Sequence, residues 1–143
     1  MLVSQILREK DRNIISIVGG ASLRDAASLL AANNIGAVPV LNEDGSAAGI
    51  LSERDIVRAI AREGDVALFF SVASCMSTPV ATCTGSDTAE DVMDQMTHGR
   101  FRHVPVVEDG RVIGLVSIGD VVKARIGETL YEASALKSYI AAR

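Results

Sequence analysis

A strand-turn-strand-helix pattern occurs twice in this chain, and the duplication limits the fold more than any other feature. The second copy, residues 101–122, contains an apolar run, an Asp-Gly turn, another apolar run and a Ser-x-x-Asp pair that opens a helix. The first copy, residues 36–57, keeps this order with one extra residue before its turn. Two copies are too few for a solenoid, which needs about three or more. We therefore expect two similar units related by a pseudo-two-fold axis.

Each copy predicts a hairpin followed by a capped helix. In the second copy, Asp109-Gly110 separates two apolar runs, and a type I′ turn there requires positive φ at both central residues. Ser117 then ends a strand and is a good helix N-cap, with Asp120 in the first turn. Ser52 and Asp55 are the equivalent pair. The free N–H groups of such a helix start favour an anion.

Hydrophobic periodicity predicts the same order of elements in both halves: short helix, strand, helix, two strands, helix. The predicted helices are 1–8, 23–34, 53–62, 71–76, 89–97 and one from residue 120 to 143, with Gly127 as a candidate break. The predicted strands are 14–18, 37–41, 48–51 and 80–84, besides the two that flank the Asp109-Gly110 turn. The fold class is thus α/β (α+β): two β-α-β-β-α repeats, 1–65 and 66–143, with additional N-terminal and C-terminal helices.

Composition excludes several classes of protein. The 143 residues are 48% hydrophobic but only 3% aromatic, so Val, Ile, Leu and Ala must form the core. A net charge of -4 and few aromatic rings argue against nucleic-acid binding. We expect no membrane span, no signal peptide and a cytoplasmic protein. Cys75 and Cys83 lack companions at zinc-ligand spacing, so we expect reduced cysteines and no metal site.

Motifs for catalysis are also missing from the sequence. Gly114 and Gly119 have the glycine spacing of a phosphate-binding loop, but Asp120 stands where that loop requires Lys. No Gly-x-Gly-x-x-Gly follows a predicted strand. His103 and the scattered serines have no catalytic partner visible in the sequence. We therefore expect a protein that is not an enzyme.

The complete pattern resembles the cystathionine β-synthase (CBS) domain. The resemblance rests on Val38-Pro39-Val40 and Val104-Pro105-Val106, on the turn glycines and on Gly-h-h-Ser-x-x-Asp, where h is apolar. Two copies resemble a CBS pair, or Bateman module, and the stretches ILSERDIVRA and GRFRHVPVVEDGRVIGLVSIGDVVKA resemble bacterial stand-alone CBS-pair proteins. The resemblance implies ligand-binding clefts between the repeats. It also implies a homodimer formed through helical faces, for which the chain offers apolar stripes in residues 1–8 and after residue 123.

The ligands implied by the resemblance contain adenosine: AMP, ADP, ATP, S-adenosylmethionine or NAD(H). The implied ribose-binding residues are Asp55 and Asp120 with Ser52 and Ser117. The implied phosphate-binding residues are Arg54, Arg102, His103, Gly119 and Arg100. The implied adenine pocket comprises Ser16, Ile17, Gly36, Ala37, Val38, Thr82, Cys83, Val104 and Ile118. By the same analogy, Asp55 is expected to work with Arg102 and His103, and Asp120 with Arg54.

Each of these assignments has a structural alternative. The aspartates are also helix caps, surface arginines are usually solvated charges (the reading favoured for Arg100), and the adenine-pocket residues also suit ordinary core packing. Three functions stay open: a regulatory module that senses an adenine nucleotide, an NAD(H)-binding pair, and a structural interaction protein with vestigial clefts. The sequence names no regulated protein partner.

Overall fold

The computed structural model describes residues 1–10 and 13–142, and within these ranges it has the mixed α+β architecture that the sequence predicts. The elements are α1 (Val3–Lys10), β1 (Ile17–Val18), α2 (Leu23–Asn33), β2 (Ala37–Leu41), β3 (Ala47–Ser52), α3 (Glu53–Glu63), a 3₁₀ segment (Gly64–Phe69), α4 (Val72–Cys75), α5 (Ala89–Gly99), β4 (His103–Glu108), β5 (Arg111–Ser117) and α6 (Ile118–Ala141). No helix in the described chain is long and apolar enough to cross a membrane.

The strands form one small sheet in each repeat. In the first repeat, β1 runs parallel to β2, and β2 is antiparallel to β3. In the second repeat, β4 and β5 form an antiparallel pair. The Asp109-Gly110 turn between them has φ of 53° and 78°, which confirms the predicted type I′ hairpin.

The predicted strand 80–84 is wrong. Only Cys83 pairs there, through a parallel bridge to Val106 that matches the pairing of Ile17 with Val40 in the first repeat. The Gln95 side chain donates to the Thr82 carbonyl (Nε2 to O, 3.1 Å), so that carbonyl takes no part in a ladder. The first strand of the second repeat is thus reduced to one residue.

The short helix that precedes each sheet in sequence packs in the hydrophobic core of the other repeat. Val3 and Ile6 of α1 are buried in the core of the second repeat, with Val104, Val116 and others. The 3₁₀ segment and α4 contribute Ala67 and Val72 to the core of the first repeat. Helix α1 therefore precedes the first repeat in sequence but packs on the second, which brings its last turn to the boundary between them.

Helix α6 continues through Gly127 without a break. Its buried residues are Val121 and Ala124, and both lie in its first two turns. The predicted apolar stripe beyond them is exposed: the side chains of Ile126, Leu130, Leu136 and Ile140 are 55–65% accessible to solvent. The predicted end at Arg143 lies outside the described residues.

Candidate functional site

A cleft of about 670 Å³ lies between the two repeats. The last turn of α1, the segments before β1 and β2, the β4–β5 pair and the start of α6 form its walls. Its polar lining includes Lys10, Asn13, His103, Ser117 and Asp120. Its apolar lining includes Leu7, Ile14, Ile15, Ile35, Ile113 and Leu115. An apolar wall that faces a few convergent polar groups is typical of a small-molecule site.

Asp120 is held in the cleft by the helix start that precedes it. Its Oδ2 accepts a hydrogen bond from the Ser117 backbone N–H at 2.9 Å, and the Ser117 Oγ accepts from the Asp120 N–H at 3.2 Å. This capping box fixes the carboxylate in place. The same arrangement joins Ser52 to Asp55 and Thr88 to Asp91. The two predicted ribose-binding aspartates, Asp55 and Asp120, are therefore also helix-capping residues. Asp91 is a capping residue too, but it does not line the cleft.

Lys10 is the partner of Asp120 that sequence reasoning missed. Its Nζ donates to Asp120 Oδ2 and to the Leu115 carbonyl, both at 2.8 Å. Burial alone would raise the pKa of Asp120, but hydrogen bonds from Lys10 and Ser117 and the charge of Lys10 outweigh it, so the pKa lies below its usual value. No sequence pattern indicates this pair, because it joins residues of different repeats that meet only through the packing of α1.

Asp55 has a different environment, although it is equivalent to Asp120 in the duplication. Its Oδ1 accepts from the Ser77 hydroxyl at 3.4 Å. The Ser77 backbone pairs in both directions with Ile50, at 2.8 and 3.1 Å. Lys10 occupies the comparable place beside Leu115 and Asp120. Asp120 thus has an ammonium partner, whereas Asp55 has a neutral hydroxyl partner.

His103 lines the cleft of Asp120, whereas the resemblance implies that it works with Asp55, and that implied pairing stays a prediction. The β4–β5 register places His103 opposite Ser117, the residue that caps the helix of Asp120. Burial, followed by the positive charge of Lys10, lowers the pKa of His103 below 6.5. Its imidazole is therefore mainly neutral at pH 7 and acts as a hydrogen-bonding group rather than a cation.

The other predicted phosphate-binding residues do not line this cleft. Arg102 and Gly119 lie with Ile118 in a separate, shallow depression on the outer surface of α6. Arg54 and Arg100 are exposed, and Arg100 ends α5 in a left-handed conformation with φ of 57°. The predicted association of Asp120 with Arg54 is thus not seen. Within the described residues, the cationic side chains of the cleft lining are Arg8 and Lys10.

The predicted adenine pocket is only partly assembled. Gly36 and Ala37 line the cleft. Val38 and Val104 are fully buried in the two cores, which favours ordinary packing over the predicted contact with a ligand. Cys83 is also buried, and burial raises the pKa of its thiol to about 12.

The remaining adenine candidates lie outside the cleft lining. Ser16 and Ile17 are half-buried beside Ile15, which does line the cleft, and Thr82 is exposed. On the side of the first repeat, the apolar lining of the cleft includes Ile14, Ile15 and Ile35. The segment before β1 thus lies at the cleft through Ile14 and Ile15 rather than through Ser16 and Ile17, and the adenine pocket stays a prediction.

The two sheet-and-helix repeats that enclose a cleft have the architecture of a tandem CBS-domain protein. The family model of the CBS domain matches residues 3–62 and 72–127, and the chain belongs to this family. The mitochondrial CBS domain-containing protein CBSX3 of Arabidopsis thaliana is 37% identical over 120 residues. That match covers 81% of this chain but 58% of the Arabidopsis protein, so the chain spans less than two thirds of that relative's length.

Solved structures share the fold. A CBS-domain containing protein from Agrobacterium tumefaciens has a TM-score of 0.82 and 45% identity, covering 87% of this chain and 99% of the other. A CBS domain protein from Pyrobaculum aerophilum, in complex with AMP, has a TM-score of 0.75 and 29% identity, covering 84% and 89%. The CBS domain pair of protein MJ0100, in complex with 5′-methylthioadenosine and S-adenosyl-L-methionine, has a TM-score of 0.79 and 28% identity, covering 90% and 98%.

Proposed function

We propose that this chain is a ligand-sensing regulatory module that binds an adenine nucleotide (AMP, ADP or ATP) in the cleft around Asp120. CBS pairs are in general regulatory rather than catalytic modules. Two of the similar structures are complexes, one with AMP and one with 5′-methylthioadenosine and S-adenosyl-L-methionine. All three compounds carry adenosine, which supports this group as the shared part of the ligand. The proposed role is to report nucleotide level to a protein partner through a change in shape.

The position of Asp120 carries the proposal. Its carboxylate faces a cleft of about 670 Å³, a volume within the range of ordinary small-molecule sites. An ionised carboxylate accepts hydrogen bonds from two neighbouring hydroxyls, which suits the 2′ and 3′ hydroxyls of ribose. Opposite it, Ile14, Ile15 and Ile35 offer an apolar surface for a planar base.

Thermal denaturation tests this function directly. A ligand that binds only the folded state stabilises it by RT ln(1 + [L]/Kd), which is about 2.7 kcal/mol at a hundredfold excess over Kd. We expect millimolar AMP, ADP or ATP to raise the melting temperature by several degrees, with a much smaller rise for GMP or inorganic phosphate. Adding NADH to the series tests the dinucleotide alternative. No rise with any adenine compound would contradict the proposal and favour a structural interaction protein.

We also propose that two copies of the chain form a homodimer through helical faces that include α6. From Ile126 onward, Ile126, Leu130, Leu136 and Ile140 lie on one side of this helix, and each is more than half exposed. Burying such a stripe is favourable by about 25 cal/mol per Å² of apolar surface. A second copy presents an identical stripe, so a symmetric contact covers both at once.

A charge on this stripe should dissociate the dimer. We expect Leu136→Glu to give monomer mass in light scattering at micromolar concentrations where the unmodified protein is dimeric, since a carboxylate would be buried at the contact. Ser138→Glu is the matched control, because Ser138 is exposed on the opposite side of the same helix and should leave the dimer intact. Monomer mass for the unmodified protein would rule out this assembly.

A further inference from the structure

We propose that Lys10 makes the cleft selective for nucleotides that carry a phosphate group over nucleosides that lack one. The inference rests on the proposed function, because it concerns a ligand whose ribose binds Asp120. On this proposal, α1 contributes to ligand selectivity through Lys10. The phosphate partner would then be Lys10 of the helix that precedes the first repeat, in place of Arg102 or Arg54.

The geometry of Lys10 places a cation where the ribose is expected. Its Nζ lies 2.8 Å from Asp120 Oδ2 and 2.8 Å from the Leu115 carbonyl oxygen. Both charged side chains are largely shielded from solvent, at 31% and 21% exposure. The helix that carries Lys10 is anchored by the buried Val3 and Ile6, so the ammonium approaches the cleft from a fixed backbone.

Binding of a ribose at Asp120 therefore disturbs an existing ion pair. Asp120 Oδ2 already accepts hydrogen bonds from Lys10 Nζ and from the Ser117 N–H. A ribose that bonds one hydroxyl to each carboxylate oxygen must therefore displace Lys10 from Oδ2 or share that oxygen with it. A displaced ammonium that stays in a partly buried cleft without an anion is costly. A phosphate group restores its partner, and it also meets Arg8, which lines the same cleft. A neutral nucleoside offers no such replacement.

The equivalent position in the duplication shows that this arrangement is specific to one repeat. Asp55 faces the Ser77 hydroxyl at 3.4 Å, so a diol at Asp55 would displace only a weak, neutral partner. The flexible stem of lysine lets the ammonium move from carboxylate to phosphate without a change in α1. Phosphate selectivity is accordingly expected at Asp120 and not at Asp55.

Calorimetric titration of AMP and of adenosine into four proteins tests the inference: unmodified protein, Lys10→Met, Lys10→Arg and Arg24→Met. Because charge-assisted hydrogen bonds contribute about 1.5–3 kcal/mol, we expect Lys10→Met to lower AMP affinity roughly tenfold or more. Adenosine affinity should stay equal or rise, since Asp120 becomes free. Lys10→Arg should keep a preference for AMP. Arg24→Met, which alters an exposed basic residue of α2 outside the cleft lining, should change neither affinity.

The ratio of the two affinities separates the outcomes. An unchanged AMP-to-adenosine ratio in Lys10→Met, with both ligands still bound, would overturn the role of Lys10 and leave the proposed function standing. An equal loss for both ligands would show that Lys10 only supports the cleft, and would overturn the inference as well. If the unmodified protein binds neither compound, the proposed function itself fails, and the selectivity with it.

Discussion

Replacing Asp120 with Asn should weaken AMP binding roughly ten- to hundredfold, because hydrogen bonds to a charged group contribute about 1.5–3 kcal/mol. Asn has nearly the same shape, and its carbonyl oxygen can still accept the Ser117 N–H that Asp120 accepts now at 2.9 Å. The change thus removes the negative charge and one acceptor while it keeps the helix cap. Calorimetric titration with AMP measures the loss, and the melting temperature confirms that the fold persists.

The chain offers a matched control for this variant. Asp91 caps α5 through Thr88 with the same pair of hydrogen bonds, at 3.0 and 3.1 Å, but it does not line the cleft. Asp91→Asn should therefore disturb a helix cap of the same kind, without the loss of a Lys10 ion pair, and leave AMP affinity unchanged. Equal AMP binding by both variants would mean that Asp120 is a helix cap and nothing more.

Local features of the fold were predictable because their determinants lie close together in sequence. The Asp109-Gly110 turn depends on two residues that tolerate positive φ, and the capping boxes depend on a serine or threonine three residues before an aspartate. The structure contains each of these capping boxes, whereas the turn with positive φ at both residues occurs at Asp109-Gly110 and in the first hairpin only Gly45 has positive φ. The repeat also made the pairing of each hairpin clear, since a buried face fixes the register.

The recurring glycines show a limit of such reasoning. Gly49 and Gly114 match in the duplication, but the sequence does not say why. At Gly49, a Cβ would lie 2.6 Å from the Met76 sulfur and 2.9 Å from the Ser77 carbonyl oxygen. At Gly114, it would lie 2.7 Å from a methyl carbon of Leu7. Each glycine accepts the close approach of a segment that packs there only in the folded chain.

The composition of the cleft was less predictable for the same reason. Asp120 and Ser117 belong to one local motif, so the sequence placed them correctly beside each other. Lys10 reaches them across more than a hundred positions of sequence, through a helix that packs on the second repeat. Arg102 was assigned to phosphate because it precedes the apolar-Pro-Val run, yet it lies outside the cleft while the next residue, His103, lines it. No periodicity in the sequence carries this information.

Because α1 packs in the core of the second repeat, a small change in α1 should destabilise that core. Ile6 is almost completely buried there, so Ile6→Ala should lower the free energy of unfolding by about 2–5 kcal/mol through lost burial and the cavity left behind. At about 2–4 °C per kcal/mol for a chain of this size, the melting temperature should fall by roughly 4–20 °C. Leu2→Ala is the control: Leu2 precedes the same helix and is 41% exposed, so an equal loss of side-chain carbons should cost under about 1 kcal/mol. Equal stability of the two variants would show that α1 merely lies on the surface, and in that case it could not hold Lys10 at the cleft.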